Sequence, residues 1–448
     1  MRRSDVVAVI QAASLRAVKR CMKRKKFEGL PLSRRRLSFG KPLFLTFLVG
    51  VLFVLGATRP AHSQSLEDQG FTLRGFGTLA ATTQDSQGLE FRRNVGQSRG
   101  VASGDVALYT DSIAGLKLDL RLGSQTDIMT QAVTRMNADG NWSPKVTQAF
   151  LRYSRDESLV MRVGRFGYDI YLLAESRQVG YSYLTVRPSA DFYGMVTNDD
   201  IDGADISLTR RLGPGLVRGR LFGGRGSDQT VFADGSIFGG HSRVYGGTLD
   251  YLLRGFTARV AYLQATYDEQ PDLQQLAGAL TGSGVPASVA IGEELYGAQT
   301  STGLQLGVAY DEGPLQAQLL YGHILSESIS GPNIKAWYAQ AGYRLGAWTP
   351  FLALAGSNDR NGIRPTGLPD IPELAPINGA VFVIQKNLRA TQHTATVGVR
   401  WNLSAKVDLK LQADFTSVHD SSYSFDRRTV ANGDVDMTVV ALAVDFVF

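Results

Sequence analysis

The chain has 448 residues, of which 44% are hydrophobic and 20% are charged, with 49 glycines, one cysteine and a formal net charge of +6. The positive charge is confined to the N-terminus. Residues 1–63 hold 14 of the 47 Lys and Arg and only two of the 41 acids, so residues 64–448 carry 33 basic and 39 acidic groups and a net charge of −6. The basic pI of the whole chain therefore comes from residues 1–63 and is no argument for nucleic-acid binding. The lone Cys21 excludes a disulfide framework and a thiolate metal cluster.

The first 63 residues have the pattern of an export signal. Basic residues cluster at 23–26 and 34–36, an uncharged and mostly apolar stretch follows at 43–55, and Ala61-His62-Ser63 offers small residues for cleavage. About 13 residues rising about 1.5 Å each cannot span a hydrocarbon core of roughly 30 Å, which argues against a membrane-spanning helix. We predict a signal peptide over 1–63. Met22 is an alternative start, and Arg34-Arg35 leaves a twin-arginine route open.

Residues 64–448 show no linker between domains and no second apolar helix, but segments with a period of two recur along the whole length. They predict an all-β fold of sixteen strands. The predicted strands are 71–83, 101–110, 115–124, 145–154, 158–166, 201–211, 215–224, 243–253, 256–267, 300–310, 314–326, 334–345, 348–358, 388–403, 405–418 and 435–448.

The connections between these strands are short and long in strict alternation. The long connections run from about 7 to 34 residues, and the short ones are tight turns such as Arg254-Gly255. A transmembrane antiparallel up-and-down barrel has this alternation, because its periplasmic turns are short and its external loops are long. A soluble sandwich would not need a long loop at every second connection. The domain prediction is therefore one barrel over 64–448.

The last strand supports a barrel in a membrane. Its alternation continues to the final residue, with Val440, Leu442, Val444, Phe446 and Phe448 on one bulky apolar face. Such a face at a free chain end would expose a soluble protein to edge-to-edge aggregation. In a closed barrel the last strand pairs with the first, so that no backbone group is left unsatisfied in lipid.

The mature chain resembles a Gram-negative outer-membrane porin of the sixteen-stranded proteobacterial superfamily. The resemblance rests on the opening strand Phe71–Leu79, the segment Leu159–Arg165 and the aromatic C-terminus Phe448. Val179-Gly180-Tyr181 and Val186-Arg187-Pro188 are similar to a segment of poorly characterised members of that superfamily. The resemblance implies a water-filled channel, a homotrimer, and a third external loop (167–200) folded inward. It also implies that Phe448, Phe446, Val444 and Leu442 form the signal for the barrel-assembly machinery.

The lumen is predicted from the faces of the strands. Lys117, Asp119 and Arg121 alternate with leucines, and an Arg or Lys on the lipid side at mid-bilayer would cost about 2–4 kcal/mol, so the charged face is placed inside. The same rule places other charged residues inside. The predicted pore-lining set is Lys117, Asp119, Arg121, Arg152, Arg162, Arg218, Arg220, Arg259 and Arg400, with the acids Asp169, Glu175, Asp191, Asp199 and Asp200 from the third loop.

Within this set Lys117, Arg121, Arg152 and Arg162 are predicted to form a basic wall that loop acids face across the pore. The inward residues that can be placed are eight Lys or Arg against three acids, Asp119, Asp408 and Asp414. The sequence therefore predicts a porin for ions and small polar solutes with a weak preference for anions. An uptake channel specific for solutes such as carboxylates is the alternative, and a merely solvated polar face is the simpler interpretation of any single residue.

Two other classes share the barrel. An outer-membrane enzyme would need a catalytic constellation, for which the sequence offers only His241-Ser242, predicted in a loop, without an orienting partner. An adhesin or structural anchor would conduct little. We predict no enzyme, no cofactor and no metal, and outer-membrane lipid and lipopolysaccharide as partners.

Overall fold

A computed structural model describes residues 70–448, except 168, 174–175, 195–199, 233–234, 236, 269–270, 297–298, 327, 422–423 and 427–433. The predicted signal peptide lies outside the described residues. Two of the predicted loop acids, Glu175 and Asp199, do so as well.

Nineteen strands and four α-helices occur in the described part of the chain. The strands are β1 (Phe71–Gln84), β2 (Leu89–Phe91), β3 (Val106–Ala107), β4 (Ile113–Arg121), β5 (Thr126–Thr134), β6 (Lys145–Asp156), β7 (Leu159–Phe166), β8 (Ile201–Leu212), β9 (Gly215–Val231), β10 (Ile237–Leu253), β11 (Phe256–Tyr267), β12 (Gln299–Glu312), β13 (Leu315–Ser326), β14 (Asn333–Tyr343), β15 (Trp348–Asp359), β16 (Ala390–Asn402), β17 (Val407–Ser421), β18 (Ser424–Asp426) and β19 (Val435–Val447). The helices are α1 (Ala190–Tyr193), α2 (Pro271–Thr281), α3 (Pro286–Leu295) and α4 (Ala375–Asn387).

One antiparallel sheet closes on itself to form the barrel. Each long strand pairs with the next along the chain, and β1 pairs with β19 in the register Phe76↔Val447 to Gln84↔Val439. The short β3 and β4 together form the second barrel strand, so the seventeen segments of the sheet amount to sixteen barrel strands. The remaining β2 and β18 pair with each other in a separate two-stranded sheet formed by external loops. The predicted all-β, sixteen-stranded closed barrel is confirmed.

The strand count was right although two assignments near the N-terminus were wrong. The predicted strand 101–110 is paired only at Val106–Ala107 and at isolated bridges at Val101 and Ser103, and Gly104 within it has a φ of 77°. The predicted turn at 111–114 runs into β4, and β5 was missed. Val101–Thr110 alternates, but the left-handed glycine interrupts it. In β5 each face mixes polar and apolar residues, with threonines on one face and Gln131 on the other, so its two faces differ little in polarity.

The two faces of the wall differ as a membrane requires. Leucines of the outward face are exposed, among them Leu116 (53%), Leu221 (67%) and Leu352 (63%). Inward positions of the wall carry charged side chains that are buried inside the barrel, such as Lys410 of β17 and Asp445 of β19. Trp348 and Trp401 stack with their rings 4.7 Å apart near the short turns that precede β15 and follow β16, where an interfacial aromatic belt is expected. The chain is thus an outer-membrane type of transmembrane β-barrel.

None of the helices in the described ranges is long and apolar enough to cross a membrane. Instead α2 and α3 lie in the external connection between β11 and β12, and α4 lies in the connection between β15 and β16. An ion pair between Arg364 and Glu294 joins these two external connections.

Candidate pore lining

A ladder of charged side chains crosses the inner wall on five neighbouring strands. Arg121 of β4 is opposite Asp127 of β5, which is opposite Arg152 of β6, and Arg152 is opposite Arg162 of β7. Arg162 is in turn opposite Asp205 of β8. Two ion pairs follow this register, Arg152 to Asp127 at 2.9 Å and Arg162 to Asp205 at 2.7 Å. Three of the four residues of the predicted basic wall therefore lie at one level, and two aspartates lie among them, with Arg152 and Arg162 directly opposite each other.

The ladder continues into a second cluster at the start of the third external loop, residues 167–200, called loop 3 below. Asp205 also accepts a hydrogen bond from Arg220 at 2.7 Å, and Arg220 donates to the loop residue Asp169 at 3.0 Å. Arg259 binds Asp169 at 2.6 Å and Asp250 at 2.6 Å. Asp169 thus joins loop 3 to β9 and β11, rather than facing the predicted basic wall.

Lys410 of β17 holds the middle of loop 3. Its Nζ donates to the carbonyl oxygens of Gly180 at 2.7 Å, Tyr183 at 2.7 Å and Thr185 at 3.1 Å. The same Nζ lies 2.8 Å from Asp445 of β19, and neither side chain has any solvent-exposed area. A buried cation with one carboxylate and three carbonyl partners has its charge compensated, so this point fixes the loop to the wall.

Arg187 makes a second attachment of loop 3. Its guanidinium donates to Asp111 at 2.6 Å and to Asp414 at 3.0 Å, and its side chain is 3% exposed. The ring of Phe91 lies 4.7 Å from the guanidinium carbon. Because Asp111 precedes β4 and Asp414 belongs to β17, Arg187 links two well-separated parts of the wall through the loop.

The two ends of loop 3 together form an aromatic cluster. Tyr171, Phe192 and Tyr193 pack edge to face with centroids 5.0–5.6 Å apart. They cover apolar inward residues of β11 to β15, including Leu320 and Tyr338. Burial raises the pKa of Tyr171 to about 12. This half of the inner wall is therefore covered by packed side chains rather than by charges.

Asp191 of α1 lies in the same region and is 2% exposed. Burial raises the pKa of its carboxyl to about 6, although hydrogen bonds from Thr394 and Gln392 act in the opposite direction. The sequence placed Asp191 opposite a basic wall. In the structure it is buried against β16 instead, so it is a structural acid with an unusually high pKa.

On the other side, a polar cavity of about 660 Å³ opens beside the external ends of β5 to β7, β9 and β10. It is lined by Arg93, Asn94 and Gln97 of the first external loop and by Arg135, Lys145 and Asp228 of the wall, with Gln178 of loop 3. Arg165 and Asp200 also border it. Hydrated ions and small polar solutes fit such a space.

The remaining predicted lining residues are placed as follows. Lys117 is opposite Gln131, a neighbour of Gln178 in loop 3, and Asp119 pairs with Arg74 at 3.5 Å. Arg218 lies 3.8 Å from Asp250. Arg400 pairs with Asp408 at 2.8 Å. Asp200 lies 3.6 Å from Arg165, not from the predicted wall.

The inward acids Asp127, Asp205, Asp250 and Asp445 were not in the predicted lining. Each lies directly opposite or beside an inward basic residue, so cross-strand register would have found them once the strands were aligned. With these four acids and the inward Arg152 and Arg162 included, the count becomes ten basic groups against seven acids, a smaller excess than eight against three. Among the described residues, no group of three or more His, Cys, Asp or Glu is arranged to hold a metal ion.

His241 and Ser242 do not form a dyad. Both belong to β10, where the interpretation from sequence placed a loop. Adjacent strand residues point to opposite faces, and Ser242 is 1% exposed while His241 is exposed. No catalytic pair results from these two side chains.

Comparisons with known proteins give likeness of shape without likeness of sequence. No protein-family model and no curated protein matches the chain. Solved structures of similar shape include an anion-selective porin from Comamonas acidovorans, 14% identical over 84% of this chain and 99% of that one, with a TM-score of 0.48. OmpF of Salmonella typhi, in complex with daunomycin, is 14% identical over 85% and 99%, with a TM-score of 0.49. OprB of Pseudomonas putida is 10% identical over 88% and 97%, with a TM-score of 0.48.

Proposed function

We propose that the chain is an outer-membrane porin, a channel for passive diffusion of ions and small polar solutes. The observation that carries the proposal is the closed sixteen-stranded barrel with an apolar outer face and a charged ladder, Arg121–Asp127–Arg152–Arg162–Asp205, on its inner face. A barrel of sixteen strands is wide enough for an aqueous channel. An anchor or adhesin would not need five charged side chains aligned across an inner wall.

Loop 3 restricts this channel. Its attachment to Lys410, the ion pairs of its own Arg187 with the wall and its aromatic cluster keep it against β11 to β19, which leaves the ladder and the polar cavity on the other side for solutes. Rows of Arg and Asp side chains of both signs order water and ions in a narrow passage, because the charges are close and poorly screened there.

Selectivity depends on the balance of charge along the passage. The ladder itself is nearly balanced, whereas the polar cavity is bordered by four basic residues, Arg93, Arg135, Lys145 and Arg165, against the two acids Asp200 and Asp228. We therefore retain a weak preference for anions and small acidic solutes, with a carboxylate-specific uptake channel as the finer alternative. The small excess of positive charge at the entrance supports it.

The test is conductance of the purified, refolded protein in planar lipid bilayers. We expect stepwise insertion of open channels. In a salt gradient, the sign of the reversal potential should correspond to preferential permeation of anions. Absence of any channel steps from heat-modifiable, folded protein would rule out the porin function. A panel of carboxylates, sugars and amino acids as blockers then separates a general porin, which no solute blocks strongly, from a dedicated uptake channel.

The partners are part of the proposal. The resemblance supports a homotrimer, and the alternating apolar residues Leu442, Val444, Phe446 and Phe448 support recognition by the barrel-assembly machinery. No enzymatic activity is proposed, since His241 and Ser242 lie on opposite faces of β10.

Lipopolysaccharide is the proposed ligand of the outer surface. Arg225 of β9 lies directly opposite Arg243 of β10, and both are exposed. Their strand neighbours Phe222 and Val244 belong to the inward core, which places both arginines on the outward face. Two like charges in register destabilise a sheet unless an anion lies between them. In the outer leaflet, the phosphates of lipopolysaccharide are such anions.

The double variant Arg225→Ser/Arg243→Ser tests this contact. We expect less lipopolysaccharide to copurify with the variant, while folding and conductance are retained. Arg210→Ser is the matched control, because it removes an exposed arginine near the periplasmic end of β8. Equal amounts of lipopolysaccharide on both variants and on the wild type would refute the contact.

A further inference from the structure

The first external loop, residues 85–105, crosses the barrel and is called loop 1 here. At its tip the backbone N–H of Val95 donates to the carbonyl of Gly194 in loop 3 at 3.1 Å, and the carbonyl of Val95 accepts from the N–H of Val231 in β9 at 2.7 Å. The Val95 side chain is 1% exposed and packs with Ile334 of β14 and Ala390 of β16. The loop begins after β1, so its tip contacts strands far around the barrel.

Arg92 braces this tip. Its guanidinium donates to the carbonyl of Val95 at 3.1 Å and to that of Val231 at 2.7 Å, and the side chain is 1% exposed. Desolvation lowers the pKa of the guanidinium to about 9. A buried cation is costly unless hydrogen bonds compensate it. Displacement of the tip would remove these carbonyl partners from Arg92, so the buried guanidinium favours the position of the tip seen here.

The base of loop 1 is equally ordered. Phe91 and Val101 exchange backbone hydrogen bonds of 3.0 and 2.6 Å, and β2 pairs with β18 of the last external loop. The Phe91 ring also packs on Arg187 of loop 3. Loop 1 is therefore held at its base, along its length and at its tip.

The side of loop 1 that faces the wall carries polar residues. Arg93, Asn94 and Gln97 line the cavity of about 660 Å³, opposite Arg135 and Lys145. A solute that enters this cavity passes between loop 1 and the external ends of β5 and β6. Three cationic groups at this passage complement a small solute that bears a carboxylate.

We propose that loop 1 is a second restriction element, placed at the external entrance above loop 3, and that its residues Arg92 to Gln97 set the size limit and the charge preference for entering solutes. This inference rests on the proposed porin function. It adds that loop 3 alone does not determine which solutes pass.

The size limit is tested with Val95→Asp, which places an unpaired carboxylate in the apolar contact with Ile334 and Ala390 and so releases the tip. We expect a larger conductance and faster liposome swelling with sugars that the wild type excludes, by about twofold or more for the largest sugars. Ile371→Asp is the matched control, since Ile371 is 43% exposed in the connection between β15 and β16. An unchanged size limit in a conducting, folded Val95→Asp channel would overturn the inference while leaving the porin function intact.

A disulfide provides a second, independent measurement. Residues 64–448 contain no cysteine, so Val95→Cys with Ala390→Cys introduces the only thiols. If the tip already lies on Ala390 in the conducting channel, oxidation leaves conductance and size limit at the wild-type values. A severalfold fall on oxidation, reversed by reduction, would mean that the tip lies elsewhere when the channel conducts, and would refute the proposal. A wild type without any channel steps would instead refute the porin function itself.

The charge preference is tested with Arg93→Glu. We expect the reversal potential to shift towards cations and block by dicarboxylates to weaken severalfold, with the size limit unchanged. The same substitution at an exposed arginine of a periplasmic turn, Arg254→Glu, is the control. A shift no larger than that of the control would show that loop 1 does not set the charge preference.

Discussion

Phe448 lies over Gly75 where the two ends of the barrel meet. The N–H of Gly75 donates to the carbonyl of Phe448 at 2.9 Å, and the N–H of Phe448 donates back to the carbonyl of Gly75 at 3.0 Å. A Cβ at Gly75 would overlap the ring of Phe448, and one at Gly77 would overlap the ring of Phe446. Glycines on β1 therefore provide the space that the C-terminal aromatic rings occupy when the sheet closes.

The first prediction is that Gly75→Val impairs closure. The added side chain displaces the Phe448 ring, and overpacking of this kind costs about 1–3 kcal/mol. We expect a lower yield of the heat-modifiable folded form and an earlier transition in its thermal unfolding. Gly219→Val is the control, because no atom lies within 4 Å of a Cβ at Gly219 on β9. Equal folding yields for the two variants would refute the closure role of the glycine.

A second prediction concerns the attachment of loop 3 by Lys410. Lys410→Met removes the donor for three loop carbonyls and leaves Asp445 without its cation, and loss of one partner of a buried pair typically costs about 3–5 kcal/mol. We expect a lower unfolding temperature, larger single-channel conductance and more frequent current fluctuations. Lys406→Met changes an exposed residue that directly precedes β17. We expect it to alter none of these quantities.

The double variant Lys410→Met/Asp445→Asn separates the two contributions. Neutralising Asp445 removes the uncompensated charge but does not restore the bonds to the loop. We therefore expect stability to recover in part while the conductance stays high. Recovery of both quantities together would mean that Lys410 acts only through Asp445.

The sequence predicts the barrel well because its signals are local. Alternation along each strand and the short and long connections are properties of neighbouring residues, and they identified fifteen of the sixteen barrel strands, although β9 and β10 extend six or seven residues further than predicted. The failures, the predicted strand 101–110 and the missed β5, are also local. A left-handed Gly104 interrupts an alternating segment, and β5 lacks contrast between its faces.

The pore lining is less predictable because it depends on register and on loop packing. The inward direction of Arg152 and Arg162 follows from periodicity, but their partners Asp127 and Asp205 belong to other strands. Loop 3 is harder still, since Asp169 and Asp191 are both acids of one loop, yet one pairs with two arginines and the other is buried beside Gln392 and Thr394. No local pattern distinguishes these two positions.

A third prediction uses the charge ladder. Asp205 accepts hydrogen bonds from both Arg162 and Arg220, so Asp205→Asn leaves two inward arginines with one acid fewer between them. We expect the reversal potential in a salt gradient to move towards anions, with a small loss of stability. Glu312→Gln, at an exposed position of a periplasmic turn, removes the same charge away from the ladder and is the control. The idea fails if both variants shift the potential equally.

The last prediction is a pH dependence of loop 3 through Asp191. Burial raises the pKa of this carboxyl from 3.8 to about 6 in the folded protein, so between these values the folded state binds more protons than the unfolded state. The free energy of unfolding must then decrease as the pH rises from about 4 to about 6, by up to about 3 kcal/mol at about 1.4 kcal/mol per unit. Below pH 4 the carboxyl is protonated in both states, so burying it carries no desolvation penalty for a charge. Above pH 6 the penalty is complete, and the contact of α1 with β16 is at its weakest.

Amide hydrogen exchange in residues 186–194, corrected for the intrinsic pH dependence, should therefore be slower at pH 5 than at pH 7. Asp191→Asn keeps the shape without the charge, so its corrected exchange should be slow at both values. An equally large pH effect in Asp191→Asn would assign the titration to another group.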